Sequence, residues 1–461
     1  MPASLDPRFA TDAASERINR LLYRRLVDFD EHARPQPALA TWERLSPRHY
    51  RFHLGREGRR FTDGSRLTAA DVAATYRSVL DPATGSPQRG TLALIGGIEV
   101  LDEDTLDFHL DRADALFPAY LGIGILPAAA IADGRRVDRH PVGSGPFAFR
   151  AWEEGGALEL ERRSDGQRLE FLKVHDPTMR VLKLMRGEVD LLQNDLPPEL
   201  FAWLREQRGI RTATRPGSNF AYLGFQLEDP DTGRPAVRRA VALAIDRDAI
   251  IRYLFRGAAR PASALLPPEH WAGNDRLPLL QRDLGQARRL LAAAGYDRAH
   301  PLHLSYKTSS DPFRLRIASV IQQQLAQAGI EVAVQSYDWG TFYGDIKKGR
   351  FQMYSLAWVG VKSPDIFRYA FHSASLPPAG ANRGRLRDAA VDALIERAMA
   401  AQDLEEQARL YARLQALLLE RLPVVPLWYE DQFYAAGNRI SGYHLGADGN
   451  YDALVQTRKR R

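Results

Sequence analysis

Two periodicities run along the first third of the chain. Residues 50–54 and 105–110 alternate apolar with polar side chains, the period of a half-buried strand, and 98–101 reads the same way. Val72, Tyr76, Val79 and Leu80 instead recur on one helical face, and Thr68 with Asp71 forms a capping box, so the pattern predicts a helix over 68–80. Asp102-Glu103-Asp104 predicts the turn of a hairpin. Next, 147–152, 158–162 and 169–174 read as strands. Asp176 and Pro177 open a helix that Gly187 closes, 189–192 is a strand, and 197–207 is a helix.

Past residue 228 the elements lengthen. Helices are predicted over 235–245 and 247–255 with Asp246 as the cap between them, and over 283–294 with Asp283 and Gln286 as a capping box. The run 302–307, 312–328, 330–336 is a strand–helix–strand unit, whose spacing favours parallel strands joined by a crossover. A strand over 351–358, helices over 386–400 and 404–421 and a strand over 424–429 follow. Two α/β units result, with different rhythms and a division near 228. With no Gly/Ser linker between them, strands are expected to carry the chain across.

Composition narrows the chemistry. There is no cysteine, so disulfides, thiolate metal sites and a cysteine nucleophile are out. The net charge is +6, yet only seven of the 63 basic residues are lysine. The arginines are scattered among acidic neighbours and form no nucleic-acid stripe. Only Arg458-Lys459-Arg460-Arg461 is a basic run, and it reads as a solvated tail. No apolar stretch reaches the roughly 18 residues of a membrane span, and the N-terminus has neither the basic nor the apolar region of a secretory signal.

No hydrolase elbow, Ser-x-x-Lys pair, phosphate loop or dinucleotide fingerprint occurs, so no enzyme is expected. His49 and His53 on one strand would lie about 13 Å apart, too far to share a metal. No metal or other cofactor is expected. What remains is aromatic: Trp339, Tyr354, Trp358, Trp428 and Tyr429 fall at strand ends or helix starts of the second unit, where α/β sheets bind ligands.

A set of short segments spread over the whole chain is familiar in its order. It runs Ser4-Leu5-Asp6-Pro7; Phe61-Thr62-Asp63-Gly64 through Asp71-Val72; 141–147 with Trp152; Gly187-Glu188-Val189-Asp190; and 221–225. It continues with Val237 to Arg247, Ala292 to Tyr296, 325–330, Trp358-Val359-Gly360 and 423–427. With these the sequence resembles the extracellular solute-binding proteins, family 5, of ABC importers, the dipeptide, oligopeptide and nickel-binding group. The resemblance implies a two-lobed periplasmic-binding-protein (Venus flytrap) α/β fold. Lobe I would comprise 1–40, an extra sub-domain at 41–140, 141–227 and a return at 433–461. Lobe II would be 228–432, with hinge segments at 222–226 and 430–434.

The function implied is capture of a peptide or peptide-like solute between the lobes and delivery to a membrane permease, by a periplasmic monomer that binds no nucleic acid. A sensory version of the same fold is the alternative. Because relatives carry a signal ahead of the Ser-Leu-Asp-Pro segment, the resemblance also implies that the natural N-terminus lies upstream of Met1.

The residues carried over as ligand-binding are Arg24, Arg25, Leu26, Tyr222, Trp358, Val361, Lys362, Asp365, Asn382, Arg383 and Trp428. Two departures from the family pattern stand out. Peptide binders usually place an Asp just after Trp-x-Gly, where this chain has Val361 and then Lys362, with Asp365 as a substitute. After the first helix it reads Arg24-Arg25. Together with Arg383 these imply a cationic site for a ligand bearing a carboxylate or other anion, or for a peptide whose amino end is held differently.

Overall fold

The structure, a computed structural model, describes residues 1–153 and 156–460. The chain divides into two compact units. The first comprises Met1–Leu192, Ala400–Leu404 and the stretch from Ala436, and the second Gln193–Met399 and Glu405–Ala435. The first unit gives up residues 193–227, assigned to it by the sequence reading, because Ile210–Phe225 forms a sixteen-residue strand paired with Met353–Trp358 in the second unit's sheet. The chain passes between units inside the strands Leu191–Gln193 and Val424–Gly437, and again at the end of the helix Ala389–Ala400 and the start of the helix Leu404–Arg421. Residues 222–226 lie within the second unit.

In the first unit a four-stranded antiparallel sheet runs in the order Ala40–Ser46, His49–Leu54, Thr105–Leu110, Ile95–Val100. Its apolar face buries Tyr50, Phe52, Leu106 and Phe108 against Val72, Tyr76 and Val79 of the helix Ala69–Leu80. The Asp71 carboxylate accepts from the Thr68 N–H at 2.8 Å and, with its other oxygen, from the Ala128 N–H at 2.7 Å, so one buried acid fixes a helix start and a neighbouring turn. The unit also holds a three-stranded antiparallel sheet, Phe147–Trp152, Leu158–Arg162 and Arg168–Phe171, and two two-stranded ones, Val27–Phe29 with Pro35–Pro37 and Ile440–Ser441 with Arg458–Lys459. Lys459 of the basic tail pairs with Asp190 at 2.8 Å, and Arg461 lies outside the described residues.

In the second unit Leu302–Ser309 and Ile330–Tyr337 pair in parallel across the helix Pro312–Ala326, and Met353–Trp358 lies parallel on the other side of Leu302–Ser309. Ile210–Phe225 and then Val424–Gly437 extend the sheet. Asp246, Asp283 and Asp311 cap their helices through side-chain oxygens, the first two as the sequence pattern indicates. Helices Trp339–Lys348 and Ile366–Phe371 are additions to the expected set. Among the described residues no helix is long and apolar enough to cross a membrane.

Candidate functional site

Three neighbouring pieces of the second unit converge on Arg383. The first is the strand pair Ile210–Phe225 and Met353–Trp358, whose register sets Phe220 opposite Trp358 and Gly224 opposite Tyr354. A Cβ on Gly224 would sit 2.4 Å from the Tyr354 ring, so glycine is what allows that ring to lie across the strand. The second is the helix Trp339–Lys348, started by Asp338, whose carboxylate accepts from the Thr341 N–H at 3.1 Å. It presents Tyr343, stacked on Trp339 at 5.4 Å.

The third piece is the loop at 381–386. Asn382 is buried and acts as its staple. Its Nδ2 donates to the carbonyls of His372 (3.1 Å) and Leu386 (2.9 Å), and its Oδ1 accepts from the Leu386 N–H at 2.8 Å. A Cβ on Gly384 would meet the Phe225 carbonyl at 2.5 Å, so the loop lies directly on the strand.

These elements place the Arg383 guanidinium, in a side chain 8% exposed, among aromatic groups. Nη1 donates to the Tyr222 hydroxyl at 2.8 Å and Nη2 to the Tyr343 hydroxyl at 3.2 Å. The Trp358 ring centre lies 4.7 Å from the guanidinium carbon, a cation–π distance. Burial pushes the Tyr222 and Tyr354 hydroxyls above the ordinary tyrosine value, so both are neutral at pH 7. Among the described residues no carboxylate lies within ion-pair distance of Arg383. The cluster therefore holds a buried, positively charged fork with no anionic partner, a group chemically suited to pairing with a carboxylate. The cavity beside it measures about 20 Å³, space for one water.

Of the eleven expected residues, Tyr222, Trp358, Asn382 and Arg383 meet here. Val361 and Lys362 lie half-buried in the loop after Trp358, where the Lys362 carbonyl meets the His270 ring nitrogen at 2.9 Å. Asp365 starts the helix Ile366–Phe371, accepting through its carbonyl from the Arg368 N–H at 3.0 Å. Trp428 is not at a surface. At 1% exposure it packs on Phe255 at 5.1 Å, because its strand is covered on both faces.

Leu26 is likewise fully buried, in the first unit's core. Arg25 turns away from Arg24 to lie 3.6 Å from Asp28, and burial together with the charge of Arg20 lowers its pKa. Arg24 is exposed beside Gly58. The sequence reading missed Tyr343 and Phe220. Tyr343 could have been found from its i+4 spacing to Trp339 after the Asp338 cap.

One metal-like constellation lies elsewhere. Pairing of His49–Leu54 with Thr105–Leu110 brings His49 to His109, rings 4.4 Å apart, and ligand atoms of His49, Asp107 and His109 lie within 4.8 Å of one another. Both Asp107 oxygens already accept from Arg51, at 2.8 Å each, so a fixed cation occupies the acid's coordination directions. The set is poorly suited to a divalent ion.

The family model for bacterial extracellular solute-binding proteins, family 5 Middle, matches residues 34–375. Heme-binding protein A of Haemophilus influenzae is 28% identical, over 98% of this chain and 89% of the relative. The peptide transport periplasmic protein SapA of Salmonella typhimurium is 29% identical, over 93% and 85%. Among solved structures, the substrate-binding protein CtaP of Listeria monocytogenes superposes with a TM-score of 0.89 at 23% identity, covering 100% of this chain and 98% of that one. The DppA protein of Helicobacter pylori, in complex with the peptide STSA, gives 0.82 at 25% identity, covering 100% and 96%. The fold is that of the periplasmic binding proteins, and the chain belongs to the bacterial extracellular solute-binding proteins of family 5.

Proposed function

We propose that this chain is the solute-binding component of an ABC importer, working in the periplasm, and that its solute is a peptide or peptide-like molecule whose carboxylate is received by Arg383. The observation that carries this reading is the buried guanidinium held by the Tyr222 and Tyr343 hydroxyls and by aromatic rings, with no carboxylate of its own. Relatives named for dipeptides and for peptide transport support the solute class. Val361 and Lys362 stand where peptide binders usually supply an acid for the amino end, so recognition shifts toward the carboxylate end.

The test compares di- to pentapeptides with free and amidated carboxyl ends by calorimetry, on the wild type and on Arg383→Ala. The free-acid peptides are expected to bind, and amidation or Arg383→Ala to weaken binding by about 2–5 kcal/mol, the cost of unpairing a buried charged hydrogen bond. Equal affinity for acid and amide, unchanged in Arg383→Ala, would overturn the assignment. Lys362→Ala is expected to change affinity by less than about threefold, since a half-exposed ammonium contributes on the order of 0.5 kcal/mol.

A further inference from the structure

The first unit contains a second cationic feature that this reading does not use. The loop at 141–146 lies against the end of the helix Ala13–Leu22. A Cβ on Gly143 would meet the Leu22 carbonyl at 2.0 Å, and one on Gly145 the Leu21 carbonyl at 2.4 Å. Glycines at both places let the loop close on that helix end, two residues before Arg24. The Thr62 N–H then donates to the Gly143 carbonyl at 3.0 Å, which brings up the 56–66 turn. Arg163 closes the ring, its Nη1 donating to the carbonyls of Arg60 (2.9 Å) and Gly145 (3.2 Å).

The result is a cavity of about 700 Å³ with seven arginines and no acidic residue in its lining. Three of the seven are committed. Arg59 pairs with Asp104 at 2.6 Å, Arg66 with the same acid and Glu103, and Arg162 is buried on Asp165 and on three backbone carbonyls. Arg24, Arg56, Arg60 and Arg163 have no acidic partner among the described residues. Ser144, also in the lining and 2% exposed, has a hydroxyl with no hydrogen-bond partner in the protein. A buried hydroxyl left unpaired costs free energy, and four like charges around one cavity repel. An anion with several acceptor oxygens removes the repulsion among the guanidiniums.

We propose that this cavity binds the phosphate group of a small phosphorylated solute. Four guanidiniums without an acidic partner exceed what a single carboxylate can engage, and the planar fork of arginine matches phosphate oxygens two at a time. The volume is in the range of small-molecule sites, so the phosphate enters with the rest of a solute attached. The assignment does not rest on Arg383 and would survive the loss of the carboxylate reading.

Inorganic pyrophosphate is the probe, titrated calorimetrically into the whole protein at low salt, with citrate as a carboxylate trianion of similar charge. Saturable binding of one pyrophosphate per chain is expected. Arg56→Ala/Arg60→Ala should weaken it about tenfold or more, through the loss of two charge-assisted hydrogen-bond donors. Both side chains are exposed, so the variant is expected to keep the wild-type melting temperature, and Arg60→Lys separates charge from fork by keeping the charge and losing part of the affinity. Arg208→Ala/Arg298→Ala, two exposed arginines outside the cavity, and Arg383→Ala should each leave binding within about twofold. The proposal is overturned by any of four results: no saturable binding, citrate binding as tightly, equal loss in the Arg208/Arg298 variant, or tighter binding of a single-stranded oligonucleotide than of pyrophosphate.

Discussion

Three buried arginines of the second unit separate structural cations from a receptive one. Arg238 donates to the carbonyls of Leu422, Thr232, Gly233 and Arg421, and Arg247 to those of Pro426, Ala242, Ile245 and Leu280. Burial lowers both to about 10, still well above pH 7, so both stay charged, and helix ends and turns surround them with acceptors. Arg383 is held by two phenols instead. The variants should therefore diverge. Arg247→Ala leaves four carbonyls short of a partner and is expected to cost about 3 kcal/mol or more in urea unfolding. Arg383→Ala is expected to change stability by less than about 1 kcal/mol while removing carboxylate binding.

Asp107 gives the pH counterpart. The Arg51 hydrogen bonds, ahead of the opposing burial and the His49 contact, hold its carboxyl down at about 2, below the ordinary 3.8. A depressed folded-state value means stability that is fully present above pH 4 and is lost as pH falls toward 2. Asp107→Asn should lower stability at pH 7 and flatten the acid limb of an unfolding-midpoint-against-pH curve between those values.

At the scale of elements, legibility followed capping and period. Helices announced by Asp at the cap, such as Arg247–Tyr253 and Leu284–Ala293, were visible in the sequence because the signal is local. No strand was expected at Ile210–Phe225, where only the last residues are continuously apolar. Its first half is polar and partly exposed, and it is held by tertiary pairing rather than by pattern. The helix Trp339–Lys348 hid behind Gly340 and Gly344, both poor helix formers, and Tyr343 was lost with it. Trp428 was misplaced for the opposite reason: an aromatic in a strand buried on both faces looks the same in sequence as one at a site. The tightest element-level constraint is Gly224. Gly224→Ala is expected to cost about 1–3 kcal/mol through overpacking on Tyr354. By moving that ring against Tyr222 and Arg383 it should also weaken carboxylate binding, which a thermal melt and a peptide titration on the same variant would separate.

For the whole molecule, the scattered arginine bias looked incidental in sequence because the residues that share the first unit's cavity lie at 24, 56–66 and 162–163, and nothing local links them. The family segments made the fold legible across the chain, but they carry no information about where uncommitted charge collects. The two cationic features differ in exposure, and that difference is measurable. Arg24, Arg56, Arg60 and Arg163 reach solvent, where salt screens a charge over about 10 Å at 0.1 M, whereas Arg383 is enclosed by Tyr222, Tyr343 and Trp358. Raising salt from about 20 to about 200 mM should weaken pyrophosphate binding about tenfold and binding of a free-acid peptide by less than about threefold. If the two affinities fell in parallel, the peptide's carboxylate would be meeting exposed charge rather than the buried fork, and the carboxylate role of Arg383 would have to be abandoned.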